Sequence, residues 1–171
     1  KMILEIYPTM KGSVLNVGVH DFNKNDGICF PDKELYSTID LIEDNKKYGS
    51  QYNHITGDIL NINIGSKFDN IILFGVLNIP SGNYGNKINK ADYTLYNKEK
   101  ELMKKIDEIL SINGRVLFGP DIPKSIKENA LIVDKYYSDF FDSNEIIKAN
   151  YISSLKYIGR GNILYEYIKI K

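Results

Sequence analysis

The chain has 171 residues, close to the usual size of one domain, so we expect a single domain with one continuous core. Lysine plus arginine and aspartate plus glutamate each number 22, so no overall basic field attracts nucleic acid or an anionic membrane, and we expect neither partner. The single cysteine, Cys29, excludes an internal disulfide and a cysteine cluster for zinc. It favours a cytoplasmic setting, and we expect no bound metal.

Short apolar runs between polar segments predict a series of buried strands. The first, residues 13–19, is rich in β-branched side chains and ends at a glycine. The second, 36–42, carries an acid near its end, and the third is centred on 54–59. The fourth, 70–74, is the most apolar of the set. The fifth, 114–120, ends at a proline, which cannot donate to a strand ladder.

Two helices are predicted. The longer spans about Asp92 to Ser111 and stops at Asn113-Gly114, where a left-handed backbone is tolerated. A shorter helix is expected to start near Asp142, because Asp142 and Glu145 have the spacing of a capping box. The longer helix has an apolar stripe at helical spacing, formed by Leu95, Leu102, Met103, Ile106, Ile109 and Leu110.

Residues 151–158 and 163–170 are strand-like runs joined by a glycine-containing turn, which predicts a hairpin. Buried strands, a helical crossover and a final hairpin together indicate an α/β fold. We expect a Rossmann-like, mostly parallel open sheet with helices on both faces and a C-terminal antiparallel hairpin.

In such a sheet, ligands bind outside the carboxyl ends of the strands, where the strand order reverses. The residues at these ends are Gly18, Asp40, Gly57-Asp58 and Phe74-Gly75. Glycine lets a backbone approach a ligand closely, and a carboxylate can accept two hydrogen bonds from ribose hydroxyls. The set therefore favours a nucleoside-containing cofactor.

The order of these motifs resembles that of class I S-adenosylmethionine-dependent methyltransferases. Residues 14–18 resemble the family's first-strand motif, and Ile39-Asp40 its second-strand acid. Gly57-Asp58-Ile59 is similar to the motif that places an acid beside the adenine amino group. Phe68-Asp69 looks like the usual start of the fourth strand.

The resemblance covers residues 13–170 and implies one methyltransferase-like domain over residues 1–171. It implies S-adenosylmethionine as cofactor and a small or medium-sized molecule as methyl acceptor. The cofactor contacts that it implies are Gly18, Val19, Asp40, Leu41, Asp58, Ile59, Phe74 and Gly75.

Other functions remain open because the sequence departs from the family's pattern. Asn16 stands where the family commonly has an acid, and residues 20–23 lack its further glycines. Residues 21–35 contain Pro31 and lack an amphipathic stripe, which predicts a loop or a shortened helix. A non-catalytic binding module is therefore an alternative. An NAD-binding Rossmann enzyme is less favoured, because it normally needs GxGxxG after the first strand.

The candidate site residues also have structural interpretations. Gly18 can simply allow a tight turn, and Asp40 and Asp58 can cap their own loops. Phe74 is expected to lie at least partly in the core. His20 is a candidate for a general base, and the alternative is that, like most lone loop histidines, it is solvated or structurally hydrogen-bonded.

Residues 78–87 follow the fourth strand and are rich in turn formers and hydrogen-bonding side chains. The segment is either a substrate-facing loop or an ordinary surface connection. Tyr84 offers a stacking surface and is a second candidate for a catalytic residue.

Overall fold

The computed structural model of the protein describes residues 3–19, 26–78, 93–121, 130–159 and 162–171. Short 3-10 turns at Tyr7–Thr9, Asp26–Cys29, Lys33–Leu35 and Glu43–Tyr48 join some of its elements. The helices and strands are, in chain order, α1 (Ile3–Ile6), β1 (Val14–Val17), β2 (Tyr36–Asp40), β3 (Asn53–Thr56), β4 (Phe68–Asn78), α2 (Tyr93–Ile109), β5 (Leu110–Asp121), α3 (Ala130–Ser143), α4 (Glu145–Asn150), β6 (Tyr151–Gly159) and β7 (Asn162–Lys169).

The strands form one seven-stranded sheet in the order β3-β2-β1-β4-β5-β7-β6. Strands β1 to β5 pair in parallel, whereas β7 pairs antiparallel with both β5 and β6. The predicted fold class, a mostly parallel sheet closed by an antiparallel hairpin, is confirmed. The strand order reverses between β1 and β4, so the carboxyl ends of these two strands flank the expected ligand crevice.

The lengths of several strands differ from the prediction. β1 and β2 end at Val17 and Asp40, earlier than expected, because the chain turns at Gly18 and after Asp40. β4 and β5 are longer than expected, at 11 and 12 residues, and both contain register irregularities. The apolar runs therefore predicted where β4 and β5 lie, but they did not predict the register irregularities or the additional residues at the strand ends.

One face of the sheet, here called the helical face, packs against the long helices. Alternate strand residues point to it, including Leu15, Val17, Ile71, Leu73, Val116 and Phe118. They contact Leu102, Met103, Ile106 and Ile109 of α2, together with Tyr137, Phe140 and Phe141 of α3 and Ile147 of α4. For these α2 residues the predicted apolar stripe is confirmed.

The opposite face, here called the turn face, carries a smaller core under short turns. Val14, Tyr36, Ile72, Phe74, Leu117 and Leu164 point to it and are covered by Tyr7, Met10 and Phe30. The ring of Phe30 lies 4.6 Å from that of Tyr7 and 4.8 Å from that of Tyr36, centroid to centroid. Within residues 26–35 the backbone forms two 3-10 turns, in agreement with the predicted loss of a regular helix there.

The end of α2 corrects the predicted stop. Asn113 has the expected positive φ of 65°, but α2 already ends at Ile109, and Asn113 lies in the irregular start of β5. Lys169 of β7 caps the helix instead. Its Nζ donates to the carbonyls of Asp107 and Leu110 and pairs with the Asp107 carboxylate at 3.2 Å.

The predicted capping box at Asp142 is wrong. The cap of α4 is Asn144, whose side-chain oxygen accepts from the backbone N–H groups of Ile146 and Ile147 at 3.1 Å. A separate helix, α3, precedes it and was not predicted. The C-terminal hairpin is confirmed, with β6 and β7 paired from Tyr151–Lys169 to Gly159–Asn162.

None of the helices within the described ranges is long and apolar enough to cross a membrane.

Candidate functional site

The carboxyl ends of β1, β2 and β3 are tied together by backbone hydrogen bonds. Gly18 N donates to Ile39 O at 2.9 Å, and Gly57 N donates to Asp40 O at 2.8 Å. Gly18 has a φ of 75°, and a Cβ there would lie 3.0 Å from Val76 Cγ2 of β4. Glycine is therefore needed both for the turn and for the close approach of β1 to β4. This places Gly18 at the reversal of strand order.

Asp40 lies beside Gly18 and is 92% buried, with only 8% of its surface exposed. Its Oδ2 accepts from Val19 N at 2.9 Å, and its Oδ1 accepts from Ile42 N at 2.8 Å and Asn45 Nδ2 at 3.0 Å. The carboxylate thus fastens the turn after β1 to the turn after β2. Its capping interpretation is confirmed.

Asp58 follows β3 and caps its own turn. Its Oδ1 accepts from Leu60 N and its Oδ2 from Asn61 Nδ2, both at 3.0 Å. Gly57 has a φ of 148°, and the Ile62 side chain occupies the position where a Cβ would point. Ile59 is 7% exposed and packs in the core of the helical face, so its side chain is unavailable to a ligand in this conformation.

The remaining candidates differ in accessibility. Leu41 is 70% exposed beside Asp40, whereas the Phe74 side chain is 7% exposed in the core of the turn face, against Gly119. The expected partial burial of Phe74 is confirmed, and Gly75 follows it within β4. His20, Tyr84 and residues 79–87 lie outside the described residues.

Sequence reasoning missed the hydrogen-bonded side chains next to Asp40. Asn45 is one, and His54 of β3 is another, with its Nδ1 lying 2.8 Å from Thr38 Oγ1. Burial lowers the pKa of the His54 imidazole, while Glu43 and Asp40 partly oppose that shift and Lys46 adds to it. His54 Nε2 is buried and has no hydrogen-bond partner among the described residues. These contacts depend on the parallel register Thr38–His54, which no local pattern encodes.

A separate open depression of about 100 Å³ lies at the opposite end of β2 and β3. Tyr36, the first residue of β2, and Gln51 and Tyr52, which precede β3, contribute to its lining together with Lys33 and Ile28. It is therefore distinct from the crevice at the carboxyl ends. Within the described ranges, His, Cys, Asp and Glu side chains form no group of three or more that could hold a metal ion.

Several solved structures with similar folds are methyltransferases. No protein-family model and no curated protein sequence matches the chain. The N-methyltransferase NodS from Bradyrhizobium japonicum WM9, in complex with S-adenosyl-L-homocysteine, has a TM-score of 0.65 and 14% identity, over 99% of this chain and 85% of that one.

Two further structures have different acceptors. The 1,6-didemethyltoxoflavin-N1-methyltransferase of Burkholderia thailandensis, with bound 1,6-didemethyltoxoflavin and S-adenosylhomocysteine, has a TM-score of 0.57 and 14% identity, over 99% of this chain and 76% of that one. The ribosomal protein L11 methylase from Lactobacillus delbrueckii subsp. bulgaricus has a TM-score of 0.60 and 14% identity, over 99% and 77%. The chain therefore has the fold of class I methyltransferases.

Proposed function

We propose that the protein transfers a methyl group from S-adenosylmethionine to a small or medium-sized acceptor. The observation that carries the proposal is the meeting of Gly18, Val19 and Asp40 at the reversal of strand order, in a chain with the methyltransferase fold. A crevice at this point is where open parallel sheets bind nucleotides. The motif order supports the same cofactor.

The residues present fit a nucleoside. From the described residues, Asp40 Oδ2 accepts one hydrogen bond, which leaves a lone pair for a ribose hydroxyl. Gly18 has no side chain to block a ligand that lies over the turn. In this proposal Asp58, beside Gly57, accepts from the adenine amino group, and Leu41, Ile59, Phe74 and Gly75 contribute backbone or apolar contacts.

In the proposed reaction, the protein's side chains do not need to activate the methyl group. The sulfonium of S-adenosylmethionine already activates the methyl group for in-line displacement. The crevice would hold the acceptor in line and exclude water, and a base would be needed only for acceptors that lose a proton during transfer. His20 and Tyr84 are the residues proposed for that role and for acceptor contact.

A small or medium-sized acceptor is favoured by likeness to the 1,6-didemethyltoxoflavin-N1-methyltransferase. The ribosomal protein L11 methylase, also similar in fold, acts on a protein. An acceptor screen should therefore contain small metabolites, saccharides and a protein fraction. We further propose a cytoplasmic location, in keeping with the single cysteine.

Calorimetric titration of the folded protein with S-adenosylmethionine and with S-adenosylhomocysteine tests the proposal. Saturable binding of both at a stoichiometry of about one is expected, since the fold has one such crevice. Absence of binding by both would refute it. Binding without product formation across the acceptor screen would favour the non-catalytic module instead.

A further inference from the structure

The Asn45 side chain donates a hydrogen bond to the Asp40 carboxylate, which is the group that binds the ribose in the proposed function. Its Nδ2 donates to Asp40 Oδ1 at 3.0 Å, and that oxygen also accepts from Ile42 N at 2.8 Å. Asp40 Oδ2 accepts from Val19 N alone among the described residues. Oδ1 of Asp40 therefore accepts two hydrogen bonds, whereas Oδ2 accepts one from the described residues.

The arithmetic of lone pairs limits what Asp40 can still bind. A carboxylate has about four acceptor positions, two on each oxygen. Three of them are filled: the single bond to Oδ2 leaves one position there, and the two bonds to Oδ1 leave none. A ribose diol presents two hydroxyl donors. One hydroxyl can reach Oδ2 directly, but the second finds Oδ1 filled by Asn45 and a backbone N–H group.

Of the two donors on Oδ1, Asn45 is the one that can leave. The Ile42 N–H group lies two residues from Asp40 in the same turn and is fixed by the backbone. Asn45 sits in the 3-10 turn Glu43–Tyr48, none of whose side chains is buried. Segments with few buried contacts open at low free-energy cost. A rotation of the Asn45 side chain, or a small shift of this turn, frees one position on Oδ1.

We propose that Asn45 is a placeholder for a ribose hydroxyl: it holds Asp40 Oδ1 in the free protein, and a ligand with a vicinal diol displaces it. This rests on the proposed function, because it concerns the same cofactor pocket. Asn45 then acts as a specificity-determining residue. It keeps the buried carboxylate hydrogen-bonded when no ligand is present, and it lowers the affinity for every ligand that must take its place.

The test compares S-adenosylhomocysteine affinity in the wild type, Asn45→Ala and Asn53→Ala. Asn53 is the matched control, since its side chain bonds the Glu34 carbonyl at the far end of β3. Asn45→Ala should bind about three- to tenfold more tightly than the wild type, because the ligand no longer displaces a charged hydrogen bond. Asn53→Ala should bind like the wild type. Thermal melting checks that each variant is folded, and Asn45→Ser, also too short to bridge to Asp40, replaces Asn45→Ala if the latter does not fold.

Analogues of S-adenosylhomocysteine that lack the 2′- or the 3′-hydroxyl sharpen the result. The gain from Asn45→Ala should vanish for at least one of them, since a single hydroxyl can use the free position on Oδ2. An equal gain for all three ligands would overturn the placeholder, as would unchanged or weaker binding of S-adenosylhomocysteine by Asn45→Ala.

The outcomes separate the two proposals. If the wild type binds and Asn45→Ala binds no better, only the placeholder is refuted. If neither binds, both are refuted. Binding by Asn45→Ala alone would refute the proposed function of the wild-type protein and would support the placeholder, with Asn45 acting as a complete block.

Discussion

The two faces of the sheet are built from different materials. On the helical face, aliphatic and aromatic side chains meet three helices, and most strand residues that point there are apolar, with Ser37 and Lys169 as polar exceptions. On the turn face, apolar residues alternate with polar ones that are equally buried. Asn16 and Thr38 are 0% exposed, and Asn70 is 2% exposed.

The polar residues of the turn face are held mainly by hydrogen bonds across strands or to the covering turns. Asn16 Nδ2 donates to Tyr36 OH at 3.1 Å, and Arg115 pairs with Glu166 at 2.6 Å. The Tyr7 hydroxyl donates to Asp26, and burial together with that carboxylate raises the pKa of Tyr7. Asp40 belongs to the same series, two residues after Thr38 in β2. The buried polar residues of the turn face thus extend to Asp40 in the candidate site. The helical face forms the larger apolar core that stabilises the sheet.

The turn face accommodates buried, uncharged polar side chains, but we expect a newly introduced buried charge to destabilise the fold. Asn16→Asp places a carboxylate at a site with no exposure, next to the Tyr36 hydroxyl. Burial should raise its folded-state pKa to about 7 or above, and the resulting loss of stability at pH 7 is about 4 kcal/mol, because the loss accumulates only between the unfolded pKa of about 3.9 and pH 7.

The sign can be checked by urea denaturation at two pH values. A raised folded-state pKa means that the loss is present above the unfolded value of about 3.9 and disappears as the pH falls towards it. Asn16→Leu, similar in volume and uncharged, should cost only about 1 kcal/mol. A loss of stability that is the same at about pH 7 and about pH 4.5 would contradict the burial of this position.

The helical face should respond to lost volume instead. Ile106 of α2 is 0% exposed, and Ile106→Ala should lower the free energy of unfolding by about 3 kcal/mol, since it removes buried methylene groups and leaves a cavity. Ile112, 60% exposed, is the matched position, and Ile112→Ala should change stability by less than about 0.5 kcal/mol. Chemical denaturation measures both, and equal losses would contradict this division.

Asp40 is buried on the turn face, and we expect it to contribute to ligand binding as well as to the structure of its turn. Asp40→Ala should weaken S-adenosylhomocysteine binding by about 1.5 to 3 kcal/mol, through the loss of charge-assisted hydrogen bonds to the ribose. Asp44→Ala, an exposed acid in the neighbouring turn, should leave affinity unchanged. Calorimetry on preparations matched by melting temperature separates binding from unfolding. Equal affinities of the two variants would count against the pocket.

The smallest expected effect is at His54. Burial lowers its pKa below the ordinary value of 6.5, so the unfolded chain binds its proton more readily than the folded one. Stability is therefore complete above about pH 6.5 and declines as the pH falls towards the lowered folded-state pKa. His54→Gln should flatten that decline. His20→Gln makes the same chemical change at the other histidine and should leave the His54 component of the slope in place. A decline unaffected by His54→Gln would refute this assignment.

Most elements of the helical face could be predicted from the sequence, with α3 and the cap of α4 as exceptions. The α2 stripe and the apolar strands follow helical and strand periodicity, which is a local property. α3 was not predicted, although Tyr137, Phe140 and Phe141 have the spacing of one helical face. The cap at Asn144 was missed because Asp142 matched a known pattern while the neighbouring asparagine had the right geometry.

The candidate site was predictable only in part. The rule that ligands meet strand ends led to Gly18 and Asp40, which the structure places side by side. The rule says nothing about which donors already occupy a carboxylate. The contacts of Asp40 with Val19 and of Thr38 with His54 join residues 21 and 16 positions apart, and both depend on how parallel strands are aligned. That alignment is a property of the assembled sheet.

The position of β7 has a consequence for how the sheet is completed during synthesis. β6 comes first in the chain but lies outside β7, at the edge of the sheet. When β6 leaves the ribosome it has no neighbouring strand, and β5 still has an open edge. Both await the synthesis of β7, which must enter between them. Until then the nascent chain exposes unpaired strand edges, the usual starting point for association between chains. Chaperone protection would therefore matter most in the interval between the synthesis of β5 and that of β7.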